Sequence, residues 1–134
     1  MEKFFKRDVI SLHGIFDFLD SCVSFHNLNE SPAFTIKFAV EEIFTNMVKY
    51  NPLNHEDIRI TLDVKGHDLI VKLIDVETVP FDITKKEQVD VNLPLEQRKP
   101  GGLGIHLVKT MVDKVDFERV GNESTITLTL KLER

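Results

Sequence analysis

The apolar residues of this chain change their spacing three times, and that alternation of periods limits the fold more than any other feature. Leu12, Ile15, Phe16, Leu19, Cys22 and Val23 recur at helical spacing, which predicts an amphipathic helix from about Asp8 to Phe25. Asn27 to Glu30 read as a loop. Ser31-Pro32 reads as a helix opening, with serine as N-cap and proline at the first helical position. Ile36, Ala39, Val40, Ile43 and Met47 carry the apolar stripe of this second helix, which should stop near Tyr50 because Asn51-Pro52 breaks it. From Ile58 the period is two: Ile58, Ile60, Leu62 and Val64 alternate with polar residues, as a half-buried strand requires. Lys65-Gly66-His67-Asp68 is a turn, and Leu69 to Ile74 form the partner strand, which Asp75 ends. After Gly101-Gly102 the helical period returns in Ile105, Val108, Met111, Val112 and Val115. The chain closes on a hairpin, Phe117 to Val120 and Thr125 to Leu132, around Gly121-Asn122, with Ile126, Leu128, Leu130 and Leu132 toward the core.

Helical stripes and alternating strands in this order bury one another if the helices cover a single face of one sheet. The expected fold is therefore α+β: a two-layer α/β sandwich with a mainly antiparallel sheet and three helices on one face. The 134 residues are the usual size of one domain, and no repeat, low-complexity tract or linker divides them, so residues 1–134 are expected to form a single domain. Ile83 to Pro100 follow neither period and contain two prolines; a stretch of that kind inside a compact domain is often a functional lid.

Charge and composition narrow the function. The formal net charge is −5 and no stretch collects Lys and Arg, which argues against direct nucleic-acid binding, since that binding rests on phosphate neutralisation. Cys22 is the only cysteine, so an intramolecular disulfide and a cysteine metal cluster are both excluded, and its apolar helical setting predicts a buried, inert thiol. No long apolar run suggests a membrane span, and Met1-Glu2-Lys3 leads into no signal-peptide core. A cytoplasmic protein that binds a small molecule or another protein is the expectation.

Three features could carry chemistry. Glu42 and Asn46 lie one turn apart on the second helix, so their side chains share a face beside the apolar stripe. A carboxylate next to an amide oxygen there could order a hydroxyl nucleophile and a Mg²⁺ ion, although such a pair taken alone is commonly just solvated. Gly101-Gly102-Leu103-Gly104 opens the third helix; its backbone N–H groups could receive a phosphate, or the glycines could simply form a flexible turn. No Gly-Lys-Ser/Thr follows, so this is not a P-loop. Asp75, at a strand end before Val79-Pro80-Phe81-Asp82, is a binding carboxylate or a turn former. The five histidines show no metal spacing; His13 lies in the first helix without an evident acidic neighbour, and His55-Glu56 lies in a loop. No helical hairpin offers a phospho-accepting histidine.

Order and spacing give these features a common meaning. Glu42-Ile43-Phe44-Thr45-Asn46 resembles the N-box of the ATPase superfamily that includes gyrase, Hsp90 and histidine kinases, and Gly102-Leu103-Gly104-Ile105 resembles its second glycine box. Asp75 with Pro80-Phe81-Asp82 is similar to the adenine loop of the anti-sigma-factor serine/threonine kinases, and the compact lid and Thr125-Ile126-Thr127-Leu128 also match that group. The resemblance runs from the first helix to the last strand. It implies that Glu42 is the general base, Asn46 the Mg²⁺ ligand and Asp75 the acceptor of the adenine amino group. Gly102, Leu103 and Gly104 would meet the phosphates, Lys49 would reach a phosphate unless it is an ordinary surface lysine, and Thr125 would support the adenine end. One departure stands out: the family usually has a glycine two residues after the aspartate, and Asp75-Val76-Glu77-Thr78 has none.

The resemblance implies an ATP- and Mg²⁺-dependent serine/threonine protein kinase working by partner switching. Its partners would be a small antagonist (anti-anti-sigma) protein, phosphorylated on a hydroxyl, and a sigma factor; a homodimer is compatible with this. A binding module that uses ATP only to shape its partner surface, and a detached domain that hydrolyses ATP without a protein acceptor, are the two other readings.

Overall fold

The computed structural model describes residues 1–50, 54–76 and 102–132. The expected lid, Ile83 to Pro100, and the Asn51-Pro52 breaker lie outside the described residues. Among those described there are three α-helices, α1 (Leu12–His26), α2 (Glu30–Tyr50) and α3 (Gly102–Met111), and five strands. The strands are β1 (Glu2–Phe5), β2 (Ile58–Lys65), β3 (Asp68–Val76), β4 (Lys114–Val120) and β5 (Glu123–Lys131). They form one sheet in the order β1-β2-β3-β5-β4, with every neighbouring pair antiparallel. The helices cover one face, so the expected α+β sandwich is the observed one.

The period-two residues place the core. Ile58, Ile60 and Leu62 of β2, Leu69, Val71 and Leu73 of β3, and Ile126, Leu128 and Leu130 of β5 are buried under the helices. Against them pack Ile15, Leu19 and Cys22 of α1, Ile36, Ala39, Val40, Ile43, Phe44 and Met47 of α2, and Ile105 and Val108 of α3. Burial also pushes the Cys22 thiol pKa up, so it stays protonated and inert. Both hairpins turn on a glycine at the first central position, Gly66 at φ +62° and Gly121 at φ +65°, where a side chain would be strained.

The boundaries differ from the sequence expectations in four places, each for a local reason. The first helix is preceded by a 3₁₀ turn, Val9–Ser11, capped by the Asp8 carboxylate accepting from the Ile10 N–H at 3.0 Å, and Phe18 takes the buried place expected for Phe16. It ends at Asn27 (φ +52°), where the Leu28 N–H returns to the Val23 carbonyl at 3.0 Å. The second helix opens before Ser31, because the Ala33 N–H bonds to the Asn29 carbonyl at 3.1 Å; Ser31-Pro32 lies inside its first turn and Ser31 is not the cap. Val115 belongs to β4, not to the third helix: the Asp113 N–H and carboxylate both bind the backbone of β5, at Thr129 (2.9 Å) and Lys131 (2.6 Å), and pull the chain out of α3. Finally β1 was not expected, since only Phe5 of its four residues is buried and no period shows. His13 also has an acidic neighbour after all, Asp17 one turn on, 3.7 Å from Nε2, but both side chains are exposed.

Candidate functional site

The two carboxylates and the amide singled out in the sequence lie on the helix side of the sheet, Glu42 and Asn46 on α2, which packs on α3 and on β3, and Asp75 near the end of β3. Glu42 and Asn46 come from the middle and C-terminal part of α2. Its apolar stripe turns toward the core and carries Asn46 with it, to 1% exposure. Glu42 is half-buried at the rim. Burial is the main reason that its carboxyl pKa is raised; neighbouring Glu41 adds to the rise and Lys49 opposes it.

Asn46 has one satisfied and one unsatisfied end. Its Nδ2 donates to the Glu42 carbonyl at 2.6 Å, while its buried Oδ1 has no hydrogen-bond partner among the described residues. A buried acceptor left in that state costs roughly 1–3 kcal/mol, which a ligand cation or donor would recover.

The start of α3 stands directly against Glu42. A Cβ built on Gly104 would lie 2.9 Å from Glu42 Oε1 and nearer still to Oε2 and Cδ, so no larger residue fits without moving the carboxylate. Gly102 opens the same helix, and Leu103 follows it. Lys49 is exposed in the last turn of α2. Glu42, Asn46 and Gly104 are thus brought together, with Lys49 close enough to act on Glu42 electrostatically.

Asp75 is 1% exposed near the end of β3. Its Oδ1 accepts from Nη2 of Arg7, whose side chain is equally buried. Sequence reasoning passed over Arg7, because a lone arginine after a short charged segment carries no pattern. The cross-strand partner of Asp75 is Ser124, 3% exposed, whose Oγ accepts from Arg119 Nη1 at 3.4 Å. Thr125 pairs instead with Ile74 and points to the other face of the sheet. The alternation of Ile126, Leu128 and Leu130 could have found this: residues of the same parity face the helices, and Ser124 has that parity.

The described residues suit a magnesium nucleotide at one end. Asn46 Oδ1 is a hard, neutral oxygen of the kind Mg²⁺ takes beside phosphate oxygens and water. Glu42 and a phosphate at the start of α3 would both be negative, an arrangement that needs a cation between them. At the other end the Asp75 carboxylate already holds a guanidinium.

Known proteins agree with this architecture. The sequence pattern of the histidine kinase-like ATPase domain matches residues 5–130. Among curated relatives, the serine-protein kinase RsbW of Listeria monocytogenes is 36% identical over an alignment of 86 residues that covers 60% of this chain and 54% of that protein. The RsbW of Listeria innocua is 35% identical over the same shares. The chain thus spans about half the length of the curated relatives it matches. The fold also resembles the Acinetobacter baumannii histidine kinase AdeS, with a TM-score of 0.54 at 12% identity, covering 100% of this chain and 68% of that one. With the pattern spanning β1 to β5, this chain belongs to the histidine kinase-like ATPase domain family.

Proposed function

We propose that residues 1–134 form a single domain that binds ATP with Mg²⁺ and phosphorylates a hydroxyl of a small antagonist protein, as an anti-sigma-factor serine/threonine kinase. The observation that carries this is the buried, unpartnered Oδ1 of Asn46 one turn from Glu42, with Gly104 pressed against the Glu42 carboxylate. In this reading Asn46 holds the metal, which draws charge off the phosphates when bound. Glu42, with its pKa raised toward the working range, takes the proton from the acceptor hydroxyl. The N–H groups at Gly102, Leu103 and Gly104 receive the phosphates, and Lys49 adds positive charge at the rim. Phosphoryl transfer asks for little beyond such positioning, charge stabilisation and one base. The name of the RsbW relatives supports a serine as acceptor. Partner switching with a sigma factor, in a cytoplasmic setting, is part of this proposal. No helix among the described residues is long and apolar enough to cross a membrane.

A second reading, an ATP-gated binding module without turnover, draws on the base end. There Asp75 is engaged by Arg7, and no glycine follows in Asp75-Val76-Glu77-Thr78. One experiment separates the two: ATP titrations with and without Mg²⁺, beside transfer of labelled phosphate to a demonstrated antagonist partner. Mg²⁺-dependent binding with labelling of a serine supports the kinase. Binding without any labelling of that partner sinks it in favour of the module.

A further inference from the structure

Taken every fourth residue from its first position, α2 carries one ridge: Glu30, Phe34, Phe38, Glu42 and Asn46. An i, i+4 ridge runs aslant the helix axis by about 26°, so its two ends face different surroundings. Exposure falls along it. Glu30 is exposed, Phe34 is 64% exposed, Phe38 and Glu42 are half-buried, and Asn46 is 1% exposed. The ridge therefore leads from open surface into the site. On its outer half the Phe34 and Phe38 rings stack, with centroids 6.4 Å apart and planes 14° apart. Across the Glu42–Gly104 contact, α3 adds Leu107, 44% exposed and three residues on from Gly104. Single exposed apolar side chains need no explanation, but a stacked pair leading to a candidate base asks for one. The charge beside the rings is one-sided: Glu30 and Glu41 are exposed, while Lys37 is paired with Asp20 of α1.

We propose that this ridge is the docking surface for the protein that brings the acceptor hydroxyl, with Phe34 and Phe38 as apolar anchor and Glu30 and Glu41 as charged rim. The inference rests on the kinase reading above. If Glu42 takes the proton, the hydroxyl has to come within hydrogen-bond reach of its carboxylate. Gly104 stands on one side of that carboxylate and the core lies beneath it, so among the described residues the ridge is the surface that leads there. A hydroxyl carried on a protein brings its surroundings with it. Phe38 and Phe34 lie about 6 and 12 Å from Glu42 along the helix axis, within the footprint of even a small partner. Exposed aromatic side chains inside a charged rim are the usual make-up of such interfaces. The partner is thereby specified by its chemistry. It needs an apolar side chain near the hydroxyl to cover the two rings, and lysine or arginine farther out to meet the two glutamates.

The test follows steady-state transfer of labelled phosphate from ATP to the antagonist protein demonstrated in the labelling experiment above, for wild type, Phe34→Ala and Glu41→Lys. Both substituted side chains are exposed, so the variants should fold, and ATP affinity by calorimetry is the control. Phe34→Ala should raise KM for the protein acceptor about tenfold and leave kcat and ATP affinity unchanged, the pattern of lost docking. Glu41→Lys should raise the same KM about threefold at low salt, and the difference should shrink at high salt. An unchanged KM in Phe34→Ala overturns the docking surface and leaves the kinase reading standing. A KM indifferent to both salt and Glu41→Lys overturns the basic face of the partner. Should Phe34→Ala keep its KM but turn a dimer into a monomer by sedimentation, the rings bind a second copy of this chain and the proposal falls. A wild type that binds ATP yet labels no acceptor overturns the kinase reading and this surface together.

Discussion

At the end of the site assigned to the phosphates, Asn46 keeps a buried oxygen without a partner and Gly104 leaves room for the Glu42 carboxylate; at the end assigned to the base, Asp75 is tied to Arg7. Both ends bury charged or polar groups beside the same core. The first end withholds satisfaction, which costs stability and leaves affinity for a ligand. The second pairs one oxygen of a buried carboxylate with a buried guanidinium, which fixes that carboxylate and joins the N-terminal segment, α2, the approach to β2 and the end of β3. The difference teaches that the two ends should answer mutation in opposite ways, one in function and the other in stability.

The largest effect should come from removing the base. Glu42→Gln keeps the shape against Gly104 and should leave ATP binding intact, while labelling of the antagonist protein falls about 10²–10⁴-fold. Wild-type labelling by this variant would remove Glu42 from the chemistry. Breaking the base end should show first as instability. Arg7→Met leaves the Asp75 carboxylate buried without its cation and should cost roughly 3–5 kcal/mol, read from urea unfolding midpoints. A loss below about 1 kcal/mol, the range of exposed pairs, would mean that the pair is solvated.

Asn46→Ala sharpens the contrast from the other side. It deletes the bond to the Glu42 carbonyl together with the unsatisfied oxygen, so stability should change by no more than about 1 kcal/mol. The Mg²⁺ dependence of ATP binding should nevertheless disappear in calorimetric titrations. A large loss of stability with the Mg²⁺ dependence retained would make Asn46 structural.

The smallest effect is a pH dependence. Burial raises the Glu42 pKa, so the folded state holds this proton more tightly than the unfolded chain. The resulting stabilisation is complete below the ordinary glutamate value and is lost as pH rises through the raised one. Glu42→Gln should therefore unfold at slightly higher urea than wild type at neutral pH, and the gap should close in acid. A gap that widens in acid would mean that the native site favours the charged form.

Much of this was legible in the residues. The stripe Ile36, Ala39, Val40, Ile43, Met47 fixed which side of α2 faces the sheet, and with it the common placement of Glu42 and Asn46. The alternation in Ile58 to Val64 and Ile126 to Leu130 fixed the inner face of the sheet. Periodicity failed where an element is too short to show it, as in β1, and where a polar anchor such as Asp113 ends a helix that apolar spacing would continue. At Thr125 the reading came from the resemblance and not from periodicity, whereas the parity of the strand puts Ser124 beside Asp75 on the inner face.

The sequence by itself determined the layers, the order of the elements and the local partnership of Glu42 with Asn46, because hydrophobic period and helical spacing act within a few residues of chain. Only the tertiary structure decided that Gly104 meets the Glu42 carboxylate and that Arg7 meets Asp75. Those contacts join residues far apart in the chain, and each depends on how whole elements pack. The need to pair a buried charge and the exclusion of a Cβ are felt only once that packing has formed.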